Sequence, residues 1–67
     1  MRGSDLRAMR RDAGMTQAEL ADAIGMTRET VGLMERDQAP IEKRTELAVR
    51  YVVHVAAKPT RKETGDG

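Results

Sequence analysis

Residues 28–36 read RETVGLMER. On a helix, Arg28, Gly32 and Arg36 recur on one face, and Glu29 and Leu33 lie beside them. A guanidinium donates through a rigid fork, and a carboxylate accepts. An outward leucine gains little in an isolated domain, whereas a thymine methyl would give Leu33 an apolar partner. Gly32 costs a helix roughly 1 kcal/mol relative to alanine. Close approach of that helix to DNA would explain why it is tolerated. These are side chains suited to the edges of base pairs.

Other chemistries find little support. His54 is the only histidine and there is no cysteine, so neither a histidine pair nor a thiolate set exists for a metal. No nucleophile–base pair is apparent, and the carboxylates are scattered, mostly near arginines. The expectation is a protein that is not an enzyme, with no cofactor, no metal and no evident small-molecule effector.

The face at 28–36 must be held by its neighbours. The composition points to helices: Tyr51 is the only aromatic residue, and no alternating β-branched run suggests a strand. Helix one is predicted over 5–13, capped by Ser4, with Leu6, Met9 and Ala13 at helical spacing and Gly14 as its stop. Helix two is predicted over 17–24. Thr16-Gln17-Ala18-Glu19 forms a capping box before it, Leu20, Ala21 and Ile24 make its apolar stripe, and Gly25 ends it. Helix three is predicted over 28–35 with Thr27 as its cap. Residues 37–40 form a loop, because Pro40 disfavours helix at Ala39. Helix four is predicted over 42–56 and closed by Pro59. The tail at 58–67 is polar and lacks apolar anchors, so disorder is expected there.

Only Gly25-Met26-Thr27 separates helices two and three, so the second must leave the first at a steep angle. Ala21 must be small where they cross, and Gly25 accepts a positive φ. Met26 faces inward, and Leu20, Ile24, Val31 and Met34 complete the shared core.

The segment QAELADAIGMTRETVGLMER resembles the helix-turn-helix of the phage repressor and Cro family, often called XRE-like. The resemblance extends from about Leu6 to Tyr51. It implies a small all-α, four-helix, lambda-repressor-like domain over 1–57, with the helix-turn-helix at 17–36. It also implies a partner, double-stranded DNA. In the family, the residues matching Arg28, Glu29 and Leu33 face base edges. Arg28 would then read guanine O6 and N7. Glu29 would either accept from cytosine N4 or orient Arg28. The counterpart of Gln17 contacts phosphate and braces the first reading residue. Thr16 and Thr27 can donate to phosphates as well as cap, and Arg36, Lys43 and Arg44 are further phosphate candidates. The family commonly pairs an arginine and a glutamate at the positions of Arg10 and Glu35, which implies a partly buried ion pair joining helix one to helix three.

The chain has 67 residues and a net charge of only +1, which is little for a general polyelectrolyte binder. Its distribution matters more. Residues 1–16 hold four arginines against two aspartates, and residues 42–62 hold six Lys/Arg against two glutamates. A basic face can therefore hide in a neutral total. Residues 1–4 (MRGS) carry no recognisable functional signal. No apolar stretch is long enough to span a membrane, and no export signal is legible, so a cytoplasmic setting in a bacterial or phage-infected cell is expected.

Helix four carries more apolar surface than one core requires. Leu47, Ala48, Tyr51, Val52 and Val55 make one face, and Val49, Val53 and Ala56 make a second. A small monomer needs one stripe. The surplus suggests a homodimer, with Val49, Val52, Val53 and Ala56 at its interface, reading a near-palindromic operator as a repressor. Many family members place another helix after the position of Tyr51, whereas here helix four is predicted to continue and stop. Small phage-borne regulators, including anti-CRISPR-associated repressors, share this abbreviated build. The rival reading is an antitoxin-like module that binds a protein through helix four.

Overall fold

The computed structural model describes residues 1–57, and the tail expected at 58–67 lies outside the described residues. Four helices follow one another: α1 (Gly3–Asp12), α2 (Gln17–Ala23), α3 (Arg28–Glu35) and α4 (Lys43–Ala57). No strand occurs among the described residues. The all-α fold expected from the sequence is the one observed.

Local chemistry sets the helix ends. At α2 the capping box forms as its sequence suggests. The Glu19 amide donates to Thr16 Oγ1 (3.0 Å), and the Thr16 amide donates to Glu19 Oε1 (2.8 Å). Thr27 caps α3, accepting from the Thr30 amide at 3.2 Å. Between them Gly25 takes φ +74°, and the Met26 amide reaches back to the Ala21 carbonyl at 2.8 Å. That bond satisfies the end of α2 and turns the chain sharply into α3.

α1 departs from the expectation. It begins at Gly3, after Arg2, so Ser4 lies inside the helix and does not cap it. The Asp5 carboxylate accepts from the Arg2 amide at 3.1 Å and so fixes the earlier start. Residues 1–3 are built into the fold. Gly3 is buried, and a Cβ there would stand 2.5 Å from the carbonyl oxygens of both Met34 and Glu35. The Gly3 amide donates to Asp37 Oδ1 at 2.8 Å. Asp37 itself takes φ +59°, the one non-glycine with a positive φ among the described residues. The start of α1 thus clasps the end of α3, and Asp37 turns the chain where a glycine commonly would.

The core consists of Leu6, Leu20, Ala21, Val31, Met34 and Val49, all buried. α2 and α3 pack most extensively of all the helix pairs, and Ala21 is buried in the core they share. Ile24 and Met26, expected in the core, are half-buried at its margin.

α4 corrects the sequence reading most. Val49 is completely buried, and Val52 and Val53 are half-buried against the core. These three therefore belong to the protein's own interior and its margin, and the dimer face expected there is displaced. Of that set only Ala56 is exposed. Leu47 (55% exposed), Tyr51 (70%) and Val55 (50%) point outward instead. The reason lies at Thr45, which is 4% exposed and begins the inward line through Val49 and Val52–Val53. A threonine at the first inward position hides that register from a count of apolar residues.

Candidate nucleic-acid interface

The end of α3 rests on one polar tie. Arg10 on α1 donates from Nε to Glu35 Oε2 (2.6 Å) and from Nη2 to Glu35 Oε1 (3.3 Å). Its Nη1 donates to the Met15 carbonyl at 2.9 Å. Gln17, at the start of α2, donates from Nε2 to Glu35 Oε1 at 3.1 Å. Three helices therefore meet on one carboxylate at the end of α3. The side chains of Arg10 and Glu35 are only 13% and 5% exposed. Burial pushes the Glu35 carboxyl up, but the hydrogen bonds from Arg10 and Gln17 and the charges of Arg10 and Arg7 outweigh it. The net pKa lies below the ordinary carboxylate value.

Above this tie the face at 28–36 is open. Arg28, Glu29 and Arg36 are exposed and Leu33 is half-buried. Among the described residues neither Arg28 nor Arg36 has a carboxylate within ion-pair distance. Glu29 makes no ion pair with Arg28, so it does not orient that guanidinium here.

Gly32 is placed differently from the sequence reading. It is buried, with Arg36 Nη1 3.3 Å and the Gln17 amide 3.8 Å from where a Cβ would stand. Its missing side chain makes room for Arg36 and Gln17 to lie over α3. A base edge would therefore meet those two side chains before it met the Gly32 backbone.

The other candidates spread around this face. Thr16 and Thr27 are exposed, and both hydroxyls already accept a capping bond. Gln17 has its amide nitrogen on Glu35 and braces the end of α3, not Arg28. Lys43 and Arg44 are exposed at the start of α4, with Arg44 Nε 3.8 Å from Glu42. Neither lines the clefts beside α3.

Two adjoining open clefts flank Gln17 and share the Arg10–Gln17 wall. One brings Arg11 and Thr16 beside Arg28. The other brings Arg7 and Arg36 over Gly32 and Glu35. Arg7 and Arg11 were not singled out from the sequence. The signal available was the arginine excess over residues 1–16, which composition alone could not aim at a face.

A family model described as helix-turn-helix matches residues 6–51, more than half of the chain. The chain belongs to the XRE-type helix-turn-helix family. As a member it is a DNA-binding regulator, its partner is double-stranded DNA, and the family is regulatory, not enzymatic. The match begins at Leu6, the core residue of α1, and ends at Tyr51 on the outer side of α4. No curated protein and no solved structure matches the chain well enough to count as a relative. No helix among the described residues is long and apolar enough to cross a membrane.

Proposed function

We propose that this helix-turn-helix protein is a sequence-specific repressor that lays α3 in the major groove of a near-palindromic operator. The open face of α3 supports this reading. Arg28 and Arg36 have no internal partner among the described residues, and Leu33 on the same helix is only half-buried. In the proposal Arg28 reads guanine, Glu29 accepts from cytosine N4 and Leu33 meets a thymine methyl. Gly32 contributes by letting Arg36 and Gln17 lie flat. Thr16, Gln17, Thr27, Arg36, Lys43 and Arg44 contact phosphates.

The protein acts as a homodimer whose half-sites stand about one helical turn (~34 Å) apart. Its second copy docks on the stripe Leu47, Tyr51 and Val55, which recurs once per turn on the outer face of α4. Three half-exposed side chains fall well short of the roughly 800 Å² per partner of a stable interface. The pairing is therefore weak alone and is completed on the operator. The reading extends to a phage-borne autorepressor acting on its own promoter.

Gel-shift titration against genomic fragments tests the readout. A minority of fragments should bind at least tenfold tighter than the rest. Uniform binding, or none, would remove the readout. Lys43→Ala should weaken all fragments alike, as loss of a phosphate contact does.

A further inference from the structure

The readout proposed above leaves two arginines without a role. Arg7 and Arg11 stand one turn apart on α1 and both are exposed. Neither has a carboxylate within ion-pair distance among the described residues. Two like charges at this spacing oppose the helix. Arg11 gains something back from the end of α1, where a cation suits the helix dipole. Arg7, in mid-helix, does not. Nor can it pair with Glu35, whose carboxylate is taken up by Arg10 and Gln17, although its charge reaches that group.

Their placement supplies the missing reason. Arg11 shares a cleft with Arg28 on one side of the Arg10–Gln17 wall, and Arg7 shares a cleft with Arg36 on the other. Four guanidiniums without a partner among the described residues thus stand in two pairs, each pairing one α1 side chain with one α3 side chain. Among the described residues the only carboxylate lining these clefts is Glu35, already paired with Arg10. Two cationic clefts a short way apart fit two anions carried on one rigid body.

Resting on the DNA-binding reading above, we infer that Arg7 and Arg11 are backbone-phosphate contacts, which makes α1 a third DNA-binding element. Arg11 takes a phosphate at one cleft, where Arg28 reaches past it to its base, and Arg7 takes a phosphate of the same duplex beside Arg36 at the other. Arg7 and Arg11 supply affinity and register, and α3 supplies sequence preference.

The test is the salt dependence of duplex binding for the full chain. Each lost phosphate contact lowers the slope of log K against log salt by about 0.9. Arg7→Ala with Arg11→Ala should flatten the slope by about 1.8 and leave the ranking of DNA sequences unchanged. Arg7→Lys with Arg11→Lys should keep the slope, which separates charge from folding. An unchanged slope in the alanine pair overturns the inference while leaving the DNA-binding reading standing. So does a changed ranking of sequences at constant slope. A wild-type chain that binds no duplex at any salt overturns both.

Discussion

Glu35→Ala removes the single carboxylate on which α1, α2 and α3 meet. It leaves Nε and Nη2 of Arg10, a side chain only 13% exposed, without partners, and it frees the Gln17 amide. Removing one member of a buried ion pair costs about 3–5 kcal/mol. Arg10 keeps its bond to the Met15 carbonyl, and its partial exposure lets it turn outward, so the expected cost is near the lower end, about 3 kcal/mol. A domain of this size has roughly 5 kcal/mol to lose. The variant should therefore be partly unfolded at 37 °C and unfold at a much lower urea midpoint, with little change in m. Replacing both partners, Arg10→Met with Glu35→Leu, should recover much of the loss, because no charge is then stranded. A Glu35→Ala cost below about 1 kcal/mol, the value of a surface pair, would refute the reasoning.

The same carboxylate sets an acid limit. Its folded pKa lies below the unfolded value, so its stabilising contribution is complete above the ordinary carboxylate pKa and is lost as pH falls through the folded one. Glu46, held low by its hydrogen bond from Arg50, titrates in the same direction. Wild-type stability should fall below about pH 5, and the Glu35→Gln curve should fall less steeply there. A wild-type curve that stays flat to pH 3 would contradict this. Gly3→Ala sets a Cβ 2.5 Å from two backbone carbonyl oxygens and should cost about 1–3 kcal/mol by thermal melting, while Ser4→Ala, at an exposed position, should be near neutral. Gly32→Ala should raise stability by up to about 1 kcal/mol, since only the movable Arg36 tip must give way, yet weaken DNA binding by displacing it. Tyr51→Asp on the outer stripe of α4 should leave half-site binding intact and abolish cooperative binding to the full site in gel shifts.

The corner between α2 and α3 was legible because each residue there answers a local demand. Thr16 and Glu19 cap each other, Gly25 supplies the positive φ, and Ala21 clears the crossing. The Arg10–Glu35 pair was also anticipated, but only through the family resemblance, since nothing local links residues 25 apart. Two features needed three dimensions. Gly3 and Asp37 bind the start of α1 to the end of α3, a long-range contact with no periodic trace. The register of α4 turns on Thr45, a polar residue buried at the head of the inward line, so the apolar pattern was assigned to the wrong face. Gly32 shows the same limit. Its cost to the helix is plain from the sequence, but the side chains that fill its space come from Arg36 and Gln17.

Selection of bound sequences from a random duplex pool, run in parallel with the wild-type chain and Arg28→Ala, tests base reading by α3. One wild-type motif made of two inverted half-sites is expected. In the variant, preference should collapse at one position per half-site, by about 1–3 kcal/mol or roughly 5- to 150-fold, with the other positions kept. Recovery of no motif by the wild type, or of an identical motif by Arg28→Ala, would contradict it.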